Sequence, residues 1–201
     1  AMRIIDWKDY IRNSSGHTVT GNLKIIESFP MPQFDSVRRI WIYLPPNYDE
    51  SQDSYPVLYM HDGQNLFDKL TSYSGEWQID KSIDQLFAGN QTSGAIVVGI
   101  DNGGETRFEE YIPKYQGDRY LNFVVHTLKP FIDKNFRTLP DRNNTGTAGS
   151  SLGGLISLYM GLKRSDVFSK IAAFSPAMSF AGESFNGCIK VQDMKIYLDV
   201  G

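Results

Sequence analysis

Between Thr145 and Leu162 the chain reads TGTAGSSLGGLISLYMGL, and few folds can hold such a stretch. The run Thr145 to Ala148 is small and partly β-branched, which suits a buried strand. Leu152, Leu155, Ile156, Leu158, Tyr159 and Leu162 then recur at helical spacing. Between the two lies Gly149-Ser150-Ser151-Leu152-Gly153, a G-x-S-x-G match in a strand–turn–helix setting. In a chain with 18 glycines the pentapeptide alone marks no more than a tight junction. With a strand before it and an amphipathic helix after it, the corner reads as a support for a nucleophile at Ser151. Glycines at 149 and 153 remove side chains that would collide as helix and strand close together. The new helix also aims free N–H groups at that spot, and these favour a developing negative charge.

The rest of the chain alternates strand and helix patterns. Thr18 to Phe29 and Val37 to Leu44 read as two strands joined through Pro30-Met31-Pro32-Gln33, an antiparallel pair at one edge. Pro56 to Met60, Ala95 to Ile100, Lys170 to Phe174 and Met194 to Val200 read as further strands. Glu76 to Phe87 reads as a helix, and Arg119 to Phe136 as a long one that Pro130 bends or breaks. This alternation predicts an α/β chain with a mostly parallel sheet covered on both faces.

At 201 residues, 41% hydrophobic and 13% aromatic, the chain is long and apolar enough for one globular domain with a substantial core. A net charge of -3 gives no reason to expect nucleic acid or an anionic membrane as partner. Cys188 is the sole cysteine, so the fold cannot depend on an internal disulfide. No apolar run approaches the roughly 20 residues of a membrane-spanning helix. The N-terminal AMRIIDWKDY lacks the apolar core of a signal peptide, and Ala1 before Met2 reads as a cloning scar. A cytoplasmic location is the expectation.

In open parallel sheets, functional groups gather beyond the carboxyl ends of strands. Three such ends carry suggestive residues: His61 to Asn65, Asp101 to Gly104, and Ser150 to Leu152. The N–H of Leu152 is expected to donate to an oxyanion, with a second donor at Gly63 or Gln64. A serine hydroxyl needs a base, and the chain has three histidines. His17 is expected at the surface, His126 solvated on the long helix, and His61 holding its own loop by hydrogen bonds. None follows Ser151, although the α/β-hydrolase order is serine, acid, histidine. Asp199 is the candidate acid, facing either core or edge; Asp193 reads as a turn residue.

At these residues the chain resembles the putative-esterase family of α/β-hydrolases, which includes enterochelin esterases, esterase D and feruloyl or acetyl-xylan esterases. The matching stretches are YMHDGQNLF (Tyr59 to Phe67), GEWQID (Gly75 to Asp80), VVGIDNGG (Val97 to Gly104) with RFEEYIP (Arg107 to Pro113), and TAGSSLGGLISLYMGL (Thr147 to Leu162). VFSKIAAFSPA (Val167 to Ala177) and KIYLDVG (Lys195 to Gly201) also match. The resemblance implies a three-layer sandwich and a serine carboxyl-ester hydrolase without metal or organic cofactor. Family roles fall on Ser151 as nucleophile and on Leu152 with Gly63–Gln64 as oxyanion donors. Family members continue past the KIYLDVG strand through an acid loop, a helix, a strand and a histidine. The expectation is therefore a domain incomplete at its C-terminus, with a further segment or neighbouring chain against Met194 to Val200.

Two functions are compatible with these residues: ester hydrolysis through an acyl-enzyme, its base supplied from outside the segment, or a non-catalytic ligand-binding or scaffolding domain of the same fold. Acyl transfer to an acceptor other than water would use the same groups. Tyr73, Trp77, Phe108, Tyr111 and Tyr115 are expected near the site, where they would stack on a sugar or an aryl acid or serve only in packing.

Overall fold

The computed structural model describes residues 5–10, 15–188 and 193–200. The readings of Ala1–Met2 and of Gly201 fall outside these residues. Eight strands form one sheet: β1 (Lys8–Asp9), β2 (Asn22–Met31), β3 (Ser36–Leu44), β4 (Val57–His61), β5 (Ile96–Ile100), β6 (Thr145–Ser150), β7 (Lys170–Phe174) and β8 (Lys195–Asp199), in the order β1-β2-β3-β5-β4-β6-β7-β8. The pairs β1/β2, β2/β3 and β3/β5 are antiparallel. The pairs β5/β4, β4/β6, β6/β7 and β7/β8 are parallel. The expected α/β architecture, mostly parallel with an antiparallel N-terminal edge, is what the chain adopts.

The central strands are nearly continuous apolar runs because both of their faces are covered. In β5, Ile96, Val98 and Ile100 face a core that also holds Tyr59, Tyr111, Tyr120, Leu155 and Ile156, while Val97 faces a second core with Trp41, Tyr43, Met60 and Phe67. The first core lies under α2 (Arg107–Tyr111), α3 (Asp118–Phe123) and α5 (Leu152–Lys163). The second lies under α1 (Ile79–Ala88), whose Ile79 and Ile83 pack against it.

Several boundaries differ from the sequence expectation. The second strand begins at Asn22 rather than Thr18, because carboxylates take the N–H groups a ladder would use: Thr18 donates to Asp68 (3.3 Å) and Thr20 to Asp80 (2.7 Å). It runs on through Pro30 and Met31, and a short 3-10 turn, Pro32–Phe34, makes the connection instead of a longer loop. The first helix starts at Ile79 because Trp77 and Ile79 give their N–H groups to Asn65 and Leu66 of the preceding loop. The long helix expected over Arg119 to Phe136 is α3, a five-residue π turn (Val124–Leu128) and α4 (Lys129–Asn135). Pro130 explains the wide turn, since it has no N–H for the carbonyl four residues back and its ring crowds that carbonyl.

Coverage of the sheet stops at its last strand. All five residues of β8 are exposed, Ile196, Tyr197 and Leu198 by 43%, 58% and 55%. No helix among the described residues is long and apolar enough to cross a membrane.

Candidate active site

Ser151 occupies the single residue between β6 and α5, with φ 57° and ψ -118°. A non-glycine residue in so sparsely populated a region costs on the order of 1–3 kcal/mol and persists only where its surroundings over-determine it. They do so here: the Ser151 N–H donates to the Phe174 carbonyl (2.9 Å), while its own carbonyl accepts from Leu155 (3.0 Å) and Ala177 (2.9 Å). Two glycines let strand and helix close. A Cβ on Gly149 would stand 2.4 Å from the Gly153 carbonyl oxygen, and one on Gly153 would stand 3.1 Å from Asp62 Oδ2. The result is an exposed side chain on a fixed backbone at the first turn of a twelve-residue helix.

The serine opens onto a cleft of about 860 Å³, and the three strand ends singled out in the sequence meet there. His61, Asp62, Gln64 and Asn65 come from the turn after β4, Asn102 and Gly104 from the loop after β5, and Ser150 with Ser151 from the end of β6. Thr71, Ser72, Tyr73 and Trp77 form one wall, and Arg107 stands opposite at the start of α2. Gln64 lines the cleft, whereas Gly63 is buried: a Cβ on it would meet the Gly99, Ile100 and Asp101 backbone at 2.8–2.9 Å. Among the described residues the Ser151 hydroxyl makes no hydrogen bond.

The turn after β4 carries an ion pair that sequence reasoning missed. Asp62 is left-handed (φ 59°, ψ 50°), and its carboxylate receives Arg107 through Nε (2.7 Å) and Nη2 (2.8 Å) and Asn102 through Nδ2 (2.8 Å). Its N–H donates to the Tyr111 hydroxyl at 3.1 Å. The signal was present in the sequence, since HDGQN and RFEEYIP supply the two charges, but their pairing needs the fold. The cation in the cleft is thereby matched by an anion.

His61 is buried to 1% exposure, with Nδ1 2.7 Å from the Tyr120 hydroxyl and Nε2 3.0 Å from Thr147 Oγ1. Both ring nitrogens are engaged, and not with its own loop as expected. Burial lowers its pKa to about 4, so the ring is neutral near pH 7. Burial also pushes the Tyr111 and Tyr120 hydroxyls well up, leaving both protonated. His126 is exposed and contacts Arg164. His17 is half-buried rather than superficial, its Nδ1 2.6 Å from the fully buried Asp68, and it does not line the cleft.

Asp199 closes β8 and is exposed, and its carbonyl accepts the Ser175 N–H at 2.7 Å. The register Ser150↔Phe174↔Asp199 sets it level with the end of β6, two strands away and outside the cleft lining. Of the five aromatics expected near the site, Tyr73 (95% exposed) and Trp77 line it. Phe108 and Tyr115 pack on one another outside it, and Tyr111 is core. Among the described residues no three His, Cys, Asp or Glu side chains are grouped to hold a metal ion.

Residues 32–195 match the family described as “Putative esterase”. The chain belongs to this family. It is similar to an uncharacterized protein, YbbA, of Bacillus subtilis, 27% identical over 180 residues, which cover 82% of this chain and 68% of that protein. It is 31% identical over 134 residues to an endo-1,4-beta-xylanase/feruloyl esterase of Xylanibacter ruminicola, covering 63% of this chain and 18% of that one. Among solved structures, a ferulic acid esterase superposes with a TM-score of 0.62 at 25% identity, covering 78% of this chain and 60% of the other. The BES protein of Bacillus cereus, at 19% identity, shares the fold with a TM-score of 0.72, covering 95% and 78%. The chain is thus an α/β-hydrolase three-layer sandwich of the esterase family, spanning 60% of the ferulic acid esterase it resembles.

Proposed function

We propose that this chain is a serine carboxyl-ester hydrolase acting through an acyl-enzyme on Ser151. The observation that carries the reading is the strained, triply held Ser151 backbone, which presents a hydroxyl to the cleft beside the free N–H groups at the start of α5. In this reading Ser151 Oγ attacks the ester carbonyl carbon and loses its proton to a base. The carbonyl oxygen, now an anion, accepts from the Leu152 N–H and a second amide across the cleft. Collapse expels the alcohol, which takes the proton, and water then releases the acid by the same route. The packing of Gly63 against β5 favours Gln64 as the second amide.

His61 cannot serve as base while both its nitrogens are engaged and its pKa lies near 4. The other two histidines stay outside the cleft, so the reading places the base outside residues 1–201. A segment or neighbouring chain against Met194 to Val200 would bring it, with Asp199 at strand-end level as the acid. Release of p-nitrophenol from its acetate should be slower in Ser151→Ala than in wild type, though still above the buffer rate, since the oxyanion hole and binding remain; equal rates for the two proteins would end the proposal.

That no side chain among the described residues is hydrogen-bonded to the Ser151 hydroxyl favours a second reading, a ligand-binding domain that kept the fold. A fluorophosphonate separates the two, since it labels Ser151 only where that hydroxyl is activated.

A further inference from the structure

The amide proposed opposite Leu152 belongs to a short 3-10 turn, Gly63–Asn65, which has little structure of its own. On one side the turn is held by Thr71, which donates to the Gln64 carbonyl (2.7 Å), and by Trp77, whose N–H donates to the Asn65 carbonyl (2.8 Å); on the other, its polar contacts with the loop after β5 converge on one residue. Asn102 uses every polar group it has. Its N–H donates to Gln64 Oε1 (2.9 Å), and its carbonyl lies 3.5 Å from Gln64 Nε2. Its side-chain Nδ2 donates to Asp62 Oδ1 (2.8 Å), and its Oδ1 accepts the Gly104 N–H (2.9 Å). That last bond folds the Asn102 side chain over its own loop and fixes its direction.

Three consequences follow for the turn. The Gln64 carboxamide is tied to Asn102, which fixes the direction of that side chain. Asp62 is in the left-handed conformation that aspartate adopts more readily than most residues, and its carboxylate is fixed there by Arg107 and Asn102. The same carboxylate stands against the first turn of α5, where a Cβ on Gly153 would lie 3.1 Å from Oδ2. Asp62 is therefore a common reference for both amides, Leu152 on one side and Gln64 on the other.

We propose that Asn102 is a positioning residue that sets the Gln64 N–H against the Leu152 N–H, acting through Asp62 and the Gln64 carboxamide. The inference rests on the serine-esterase reading above. It touches no substrate atom and takes no proton. Misplacing a catalytic group by about 1 Å can cost on the order of 100-fold in rate, and losing an oxyanion donor altogether costs about 100- to 1000-fold in kcat. Loosening one donor belongs at the lower end.

The test is steady-state hydrolysis of p-nitrophenyl acetate by the 201-residue chain, with thermal unfolding measured alongside. A base need not be present for this readout, because an oxyanion hole and binding alone leave roughly 10³- to 10⁴-fold over water. Asn102→Ala should lower kcat about 10- to 100-fold, with KM within about twofold of wild type. Gln64→Met, which removes only the carboxamide contact, should move the same parameter in the same direction by less. The double variant should lose less than the product of the two single losses, since both act on one turn. A wild-type kcat in a folded Asn102→Ala, or a loss entirely in KM, would overturn the inference while leaving Ser151 as nucleophile. Should Asn102→Ala fail to fold, an unchanged kcat in Gln64→Met would overturn it equally. If Ser151→Ala matches wild type, it is the serine reading that has failed, and this inference with it.

Discussion

Replacing Gly149 by alanine adds one methyl group where strand and helix have no room for it. The new carbon would lie 2.4 Å from the Gly153 carbonyl oxygen, 2.5 Å from the carbonyl carbon and 3.0 Å from Cα. All three are backbone atoms, so no side-chain rotation relieves the contact. The first turn of α5 would have to retreat by about 0.6 Å or more, and overpacking of this kind costs on the order of 1–3 kcal/mol. Alanine regains about 0.5–1 kcal/mol through its smaller loss of backbone entropy, too little to offset the clash. The net loss is then up to about 2.5 kcal/mol; for a chain of this size 1 kcal/mol moves Tm by about 2–4 °C, so Tm should fall by up to about 10 °C. The same retreat carries Leu152 and Ser151 away from the cleft, and p-nitrophenyl acetate hydrolysis should drop about 100-fold. Differential scanning calorimetry and the p-nitrophenol assay, run on one preparation, read both numbers. A Gly149→Ala protein with wild-type Tm and wild-type rate would show that the corner is looser than these distances require.

The Arg38–Glu110 pair is buried, with side-chain exposures of 8% and 3% and two contacts of 2.8 Å. Glu110→Gln removes the only opposite charge bonded to Arg38 among the described residues, leaving neutral acceptors such as the Asp101 carbonyl (3.1 Å), and urea unfolding should show a loss of about 3 kcal/mol; less than 1 kcal/mol would mean that water reaches Arg38. Because His61 titrates near 4 when folded and near 6.5 when unfolded, the unfolded chain binds the extra proton between those values. Stability contributed by the neutral ring is complete above about pH 6.5 and is lost as pH falls towards 4, by roughly 3 kcal/mol at 1.36 kcal/mol per unit. His61→Gln should flatten that slope in unfolding measured across this window, and an unchanged slope would count against a neutral buried ring. Trp77→Ala removes a wall of the cleft that also packs edge-on against Phe174, 5.4 Å between centroids. It should raise KM for aryl esters several-fold with kcat less affected, and an unchanged KM would place the aryl group elsewhere.

The strand–helix corner at Ser151 was legible because its rules are local. Glycine at 149 and 153, small residues before and helical spacing after are all consequences of one strand giving way to one helix. β5 and β7 were placed to within a residue for a similar reason, being apolar runs bounded by turn signals. The convergence of three strand ends also held, and what failed was decided by side-chain partners distant in sequence. The start of β2 moved because Asp68 and Asp80 claim the N–H groups of Thr18 and Thr20. His61 looked like a brace for its own loop, yet its partners are Tyr120 and Thr147, 59 and 86 residues away.

The sequence by itself determined an α/β alternation, an edge of antiparallel strands and a serine raised between strand and helix, because periodicity and glycine placement act over a few residues. Only the tertiary structure decided that Asp62 faces Arg107, that Asn102 ties two loops together, and that Tyr111 is core while Tyr73 faces the cleft. Those facts depend on which strand lies beside which, and the order β5-β4-β6 joins segments that no local pattern connects.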